Sequence, residues 1–161
     1  MPITKNKKIE IVKGLEKSLA DSKSVVFVNF HGLTVLDASS MRRSLKKDGV
    51  GYTVAKKSLI KRALGAASVK GEMPALEGEL SIAYSEDLTA PARGIYEFQK
   101  KLDGKVSIIG GVFEGEYKSK AEMMEIALIP PLDTLRGMFV NIINSPIQRM
   151  VISLNQIAEK K

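Results

Sequence analysis

The stretch Ser24-Val25-Val26-Phe27-Val28-Asn29-Phe30 decides how the rest of the chain folds. Its apolar run is almost unbroken and is rich in β-branched and aromatic side chains, which is typical of a strand buried on both faces. We therefore predict a central strand here. Gly32 then gives the backbone freedom to turn, and Thr34 with Asp37 forms the Ser/Thr-x-x-acid pattern that caps a helix start. A helix is expected to follow directly.

That helix carries cations away from its apolar side. Arg42 with Lys46, and Arg43 with Lys47, are pairs of like charge four residues apart, and such pairs repel each other on a helix surface. A face of this kind needs either solvent or a polyanion against it.

The charge of the chain is divided unevenly. The total is +7 over 161 residues, but residues 1–70 hold 15 Lys+Arg and 5 Asp+Glu, whereas residues 71–161 hold 10 and 13. The first part therefore carries +10 and the second −3. A +10 segment is a plausible electrostatic footprint for nucleic acid, although an anionic membrane surface would attract it too.

Several classes of function are excluded by composition. The chain has no Cys, so it forms no disulfide framework and performs no thiolate metal or redox chemistry. No stretch resembles a signal peptide, and none approaches the roughly 18 apolar residues that span a bilayer. We expect a cytoplasmic protein without a cofactor.

Periodic apolar patterns and helix-start signals continue along the chain. They predict a first helix from Thr4, short strands over 52–54, 80–84 and 106–109, and helices over 56–64, 89–102 and from Ser119 to Pro130-Pro131. Gly65 is expected to close the third helix, with Lys57 on its outer side, and Gly110-Gly111 to interrupt the fourth strand with a bulge or a close backbone approach. The alternation predicts a layered α/β domain with a mixed four- to five-stranded sheet flanked by helices, because some connections are too short for a parallel crossover.

Pro130-Pro131 marks the expected boundary between an α/β domain over 1–129 and a tail over 130–161. The tail has two amphipathic segments, and the second is expected to start after Ser145-Pro146, a cap followed by a helix-starting proline. Its two apolar stripes are Leu132, Leu135, Phe139, Ile142 and Ile143, and then Ile147, Met150, Val151, Leu154 and Ile157. The stripes either fold back onto the domain, associate with another copy, lie on a membrane surface or bind a partner. The few cations of the tail argue against a membrane surface, and we favour binding to a partner by helix and groove.

The ordered set of these features resembles the family numbered ten of the large ribosomal subunit, the stalk-base proteins, in its bacterial form. The features are the basic first helix, Gly32-Leu33-Thr34 after an apolar strand, Val54, Gly78 before another strand, Gly110-Gly111, and Ala127-Leu128-Ile129-Pro130. They span about 130 residues. One departure is Lys56-Lys57-Ser58-Leu59, where the family commonly has Lys-Asn-Thr-Leu.

The resemblance implies a non-catalytic protein of the large subunit. Its α/β domain would grip 23S ribosomal RNA at the GTPase-associated region, beside ribosomal protein eleven. The RNA-contacting residues are then expected to be Lys5, Lys7, Lys8, Gly32, Leu33, Thr34, Arg42, Lys56, Lys57 and Ser58. This set supplies the cations, backbone amides and hydroxyls that phosphate contact needs.

The resemblance also implies that the tail carries dimers of the acidic stalk protein numbered seven/twelve, two by our reading, which recruit translational GTPases. The docking residues are then expected to be Leu135, Phe139, Ile142, Ile143, Ile147, Met150, Val151, Leu154 and Ile157.

Two other functions remain open at this point. His31, the only histidine, directly follows the central strand and could serve a small enzyme, but no nucleophile, base and orienting group occur together. The basic half alone would also suit a general nucleic-acid-binding factor outside the ribosome.

Overall fold

A computed structural model describes residues 4–66, 69–71, 73–76, 78–102 and 104–159, without the side chains of Lys5 and Ala66. The elements, in chain order, are α1 (Lys5–Ala20), β1 (Ser24–Phe30), α2 (Val35–Lys47), β2 (Gly51–Val54), α3 (Lys57–Ala66), β3 (Leu80–Ser85), α4 (Ala90–Lys101), β4 (Val106–Phe113), β5 (Glu116–Lys118), α5 (Lys120–Ala127) and α6 (Leu132–Glu159).

The five strands form one sheet in the order β2-β3-β1-β4-β5. The predicted central strand is confirmed, since β1 lies in the middle of the sheet. The prediction of a mixed sheet was wrong, because each pairing between these strands is antiparallel. Among the described residues, one parallel bridge joins Lys70, which lies outside the strands, to Glu116 of β5. A period-2 pattern reports which face a side chain occupies and carries no information on strand direction.

Helices cover both faces of the sheet, so the layered α/β architecture is confirmed. On one face α1 and α3 pack over Val25 and Phe27; on the other, α2, α4 and α5 pack over Val26 and Val28. Consecutive residues of β1 therefore enter opposite halves of the core, and Val26, Phe27 and Val28 are fully buried. This is why the stretch reads as a continuous apolar run.

Strand β4 runs straight through Gly110-Gly111 instead of ending there. Its pairing with β1 shifts register beside Phe27 and Val28, which places the predicted irregularity at this point. A Cβ on Gly111 would lie 2.5 Å from the carbonyl oxygen of Val25 and 2.8 Å from the terminal carbon of Met123. Glycine is therefore required by close packing and does not break the strand.

In the α/β domain, two of the three predicted caps at helix starts form. Thr34 accepts a hydrogen bond from the amide of Asp37 (3.2 Å), and Ser119 with Glu122 forms a complete capping box. Thr4 occupies the N-cap position of α1, but its side chain makes no capping hydrogen bond. The predicted end of α3 was also wrong, because the helix continues past Gly65 to Ala66.

The chain divides into two compact units, Met1–Ile129 and Pro130–Lys161, which we call the α/β unit and the helical unit. In the helical unit a single helix, α6, passes through Pro146. The prediction of two separate segments was therefore wrong. Proline has a fixed φ near −65°, which is helical, so its cost inside a helix is one lost hydrogen bond and crowding of the preceding turn.

Within the described ranges, no single helix is long and apolar enough to cross a membrane. Helices α5 and α6 pass that test only when they are counted together across the break between them, and then by length and composition alone.

Candidate nucleic-acid interface and exposed helical surface

The predicted RNA-contacting residues after β1 and β2 lie at the same edge of the sheet. Both strands run antiparallel to β3, which lies between them, so they end at one edge. The segments Gly32–Thr34 and Lys56–Ser58 continue from those ends. Strands two positions apart are separated by about 10 Å, so the two segments are neighbours along this edge.

A cleft of about 320 Å³, which we call the edge cleft, opens between the end of β1, the start of α2 and the end of β2. Four predicted residues line it, namely Gly32, Leu33, Thr34 and Arg42. The other lining residues are mostly apolar: Phe30, Val35, Ala38, Ser39, Met41, Tyr52, Val54 and Glu79. The structure thus brings part of the predicted set together around an apolar floor.

Tyr52 is held in this cleft by a chain of hydrogen bonds. Its hydroxyl donates to Oγ of Ser81 (2.8 Å), and the Ser81 hydroxyl donates to the buried carbonyl of Val28 (3.2 Å). The guanidinium carbon of Arg42 lies 5.8 Å from the centre of the Tyr52 ring, within the range of a cation–π contact. Burial raises the pKa of Tyr52, against smaller opposing effects of Ser81 and Arg42, so the phenol is neutral at physiological pH.

The turn into α2 depends on local backbone chemistry. Gly32 adopts φ +62°, a left-handed conformation that other residues rarely adopt. Thr34 also donates its hydroxyl proton to the Asp37 carboxylate (2.7 Å) while it accepts from the Asp37 amide. The exposed Thr34 side chain is therefore committed to the cap, and the backbone of this turn remains at the surface.

At the start of α3, Lys56 and Ser58 are exposed as expected. Lys57 is not, and its predicted outward position was wrong. It is partly buried, and its Nζ donates to the carbonyl of Leu76 at 3.0 Å. An ammonium group has three donors, so this bond leaves two for another acceptor.

The cations of α1 lie apart from the edge cleft. Lys7 and Lys8 are exposed in the first two turns of the helix and do not line the cleft. The prediction for the Lys5 side chain lies outside the described residues. The structure therefore groups Gly32, Leu33, Thr34 and Arg42 in one cleft, with Lys56–Ser58 beside it along the edge.

Among the described residues, the cations of the basic half form no salt bridge. In the described part of the protein, the two salt bridges join Lys118 to Glu116 (3.1 Å) and Arg136 to Asp133 (3.5 Å), and both lie beyond residue 70. Most of the described cations in this basic half, such as Lys7, Lys8, Arg42 and Lys56, are exposed to solvent.

Sequence reasoning missed the apolar part of this edge. Val35 and Leu36 are each 82% exposed at the start of α2, and Tyr52, Val54 and Glu79 line the cleft. The spacing of Tyr52 and Val54, two residues apart on one strand, places them on the same face and could have signalled a shared surface.

The helical unit presents the predicted docking residues at its surface. No residue in the described span of α6 is buried. The predicted set is exposed by 39% to 70%, with Leu135 the least and Ile142 the most exposed. At 100° per residue, the stripe before Pro146 and the one after it are offset by about 60° around the helix axis.

Within the described residues, the side chain of His31 has no hydrogen-bond or salt-bridge partner. The histidine is exposed, and its backbone amide donates to the carbonyl of Lys105 (2.9 Å). Within the described ranges, no cluster of three or more His, Asp or Glu side chains could hold a metal ion.

Comparison with known proteins decides the family. The model of the family described as ribosomal protein L10 matches residues 3–100. The chain belongs to the ribosomal protein L10 family. Among its curated relatives, the "Large ribosomal subunit protein uL10" of Shouchella clausii is 32% identical over 96% of this chain and 93% of its own length. The protein of the same name from Bacillus licheniformis is 30% identical over 94% and 91%, respectively.

Membership of the L10 family confirms the resemblance seen in the sequence. The family consists of structural ribosomal proteins and not of enzymes, in agreement with the non-catalytic reading. The relatives are named as proteins of the large ribosomal subunit, which lies in the cytoplasm of bacteria, and this agrees with the expected location.

Proposed function

We propose that this chain forms the base of the large-subunit stalk. In this proposal the α/β unit binds 23S ribosomal RNA at the GTPase-associated region, beside ribosomal protein eleven. The helical unit anchors dimers of the acidic stalk protein seven/twelve, which in turn recruit translational GTPases.

The RNA part of the proposal is supported by the positively charged side chains of the first 70 residues. The described cations before residue 70 form no salt bridge, and Lys56, Ser58 and the Gly32 turn lie at one edge of the sheet. Neutralising RNA phosphates with such cations releases counterions, which favours binding at low salt. Exposed backbone amides and hydroxyls beside them suit the sugar–phosphate contacts that position a protein on nucleic acid.

The stalk part is carried by one observation, the apolar surface of α6. Its large apolar side chains are 39% to 70% exposed over a 28-residue helix. Full burial of an exposed side chain of this kind gains roughly 1.5 to 3 kcal/mol, and each of these partly exposed side chains gains a fraction of that, so a helical partner that covers many of them gains substantial free energy. The two stripes, one on each side of Pro146, support two docking sites and hence two dimers.

Native mass spectrometry of the full chain mixed with the acidic stalk protein tests the docking sites. We expect a pentamer of one chain with two stalk-protein dimers. A chain that ends after Ile129 should bind no stalk protein and should still bind RNA. A full chain that remains alone in the mixture would refute the stalk proposal.

Salt-dependent RNA binding tests the edge of the sheet. Lys56→Glu with Lys57→Glu should weaken binding to a 23S fragment of the GTPase-associated region. The slope of log K against log salt should flatten by about 0.7 to 0.9 for each lost phosphate contact.

A matched control makes the same change in charge at the opposite edge, where Lys17 and Lys23 are exposed near the start of β1. Lys17→Glu with Lys23→Glu should alter the slope less. Equal flattening by the two variants would mean that overall charge, and not the proposed edge, governs binding.

A further inference from the structure

The edge cleft has a lining that phosphate binding does not require. Phosphate contact uses cations and N–H or O–H donors, whereas this cleft is floored by Phe30, Leu33, Tyr52 and Val54. Its volume is about 320 Å³, the cation among its lining residues is Arg42, and most of the lining belongs to the basic first 70 residues. An apolar cleft with a cation in its wall, in a basic part of the chain, matches a ligand that is itself both anionic and aromatic.

Tyr52 and Arg42 supply a stacking platform in this cleft. The chain of hydrogen bonds from Tyr52 through Ser81 to the Val28 carbonyl fixes the position of the ring, and the guanidinium of Arg42 lies over it. Arg42 is exposed, so its guanidinium is open to solvent on the side away from the ring. Unpaired RNA bases stack on arginine guanidinium planes as well as on aromatic rings.

Glu79 gives the cleft a preference for a base over a phosphate. Glu79 lines the cleft and is exposed. A carboxylate repels a phosphate oxygen, but it accepts hydrogen bonds from the N–H groups at the edge of a base. Val35, 82% exposed at the lip, adds an apolar surface against which a base or ribose can pack.

We propose that the edge cleft receives one unpaired nucleobase of the bound RNA. The base stacks on one side of the Arg42 guanidinium, and the Tyr52 ring lies on the other side. This inference rests on the proposed RNA binding and adds a base-specific element to contacts that otherwise involve the RNA backbone. The cations along the edge hold the phosphates, and the cleft selects RNA that can release a base.

The test uses the full chain and a 23S fragment of the GTPase-associated region that carries 2-aminopurine at one unpaired position at a time. With the natural chain, one position should change its fluorescence on binding. In Arg42→Lys the charge is kept and the guanidinium plane is lost, so that change should disappear. Affinity should fall by about tenfold while the salt slope stays the same, because stacking on a base does not release counterions.

Arg43→Lys is the matched control, because Arg43 is the next residue on α2, is exposed and lies outside the edge cleft. It should leave both affinity and fluorescence unchanged. If Arg42→Lys binds as tightly as the natural chain and no labelled position responds, the base-binding cleft is refuted while RNA binding stands. If the natural chain itself fails to bind the fragment, both proposals are refuted.

Discussion

The α/β unit and the helical unit use similar apolar sequences in opposite ways. Phe27 in β1 is fully buried between two layers of helices, whereas Phe139 in α6 is 66% exposed. Phe27 lies in an almost unbroken apolar run, and Phe139 lies in an apolar stripe of helical period. The comparison teaches that an apolar pattern identifies the surface that gains from being covered, whereas burial depends on which elements pack against it.

The largest expected effect contrasts these two phenylalanines. Phe27→Ala should lower the free energy of unfolding by about 3 to 5 kcal/mol, because it removes a buried ring and leaves a cavity. Phe139→Ala should change it by less than about 0.5 kcal/mol, since an exposed side chain loses few contacts. Urea unfolding of the full chain measures both values. Similar losses in the two variants would contradict the contrast between the units.

Alanine substitutions at two glycines should change stability by less, and the two changes should have opposite signs. Gly111→Ala should destabilise the α/β unit by about 1 to 3 kcal/mol, because the added methyl group meets the Val25 carbonyl and Met123. Gly137→Ala should instead favour α6 by about 1 kcal/mol, since alanine is the better helix former and its Cβ meets nothing within 4 Å in the described part of the protein.

Thermal unfolding and circular dichroism at 222 nm separate these two outcomes. Gly111→Ala should lower the melting temperature, and Gly137→Ala should maintain or increase helical signal. A Gly111→Ala protein as stable as the original would mean that the sheet relaxes around the methyl group at little cost.

The smallest effect concerns a carboxylate at the start of α5. Hydrogen bonds from the Ser119 backbone amide (2.7 Å) and then its hydroxyl (2.8 Å) hold the pKa of Glu122 below its ordinary value of 4.5. A lowered folded-state pKa means that the stabilisation is complete above the ordinary value and is lost as the pH falls through the lowered one. Glu122→Gln should therefore reduce stability at pH 7 and make little difference at strongly acidic pH.

Unfolding curves at several pH values for Glu122→Gln and the natural chain measure this convergence. Asp133→Asn in α6 is the comparison, because its salt bridge to Arg136 is highly exposed and exposed pairs contribute little. A stability difference at Glu122 that persists at strongly acidic pH would contradict the role of the ionised carboxylate in the cap.

Much of the fold could be predicted because local chemistry decided it. The capping box at Ser119 and the buried run of β1 need only neighbouring residues to be recognised. Strand β5 and the passage of β4 through its glycines depend instead on distant partners, such as Met123 packed against Gly111. Close contacts between residues that are distant in the chain leave no periodic pattern in the amino-acid sequence.

The positive charge of the candidate site could be predicted from the sequence, but many of the side chains that line the edge cleft could not. The sequence alone indicated Arg42 and the Gly32 turn. It could not show that Lys57 donates to the Leu76 carbonyl, because that bond joins residues from separate segments of the chain. Glu79 and Tyr52 likewise reach the cleft through the pairing of β2 with β3.

The position of β1 in the middle of the sheet has a consequence during synthesis of the chain. Both strands that flank it, β3 and β4, are encoded later in the chain, and β4 ends at Phe113, roughly eighty residues after β1 ends. At synthesis rates of about 5 to 20 residues per second, the central strand stays without one of its neighbours for about 4 to 16 seconds. During that time the uncharged, β-prone heptapeptide Ser24–Phe30 has the composition of a segment that aggregates when it is left unpaired.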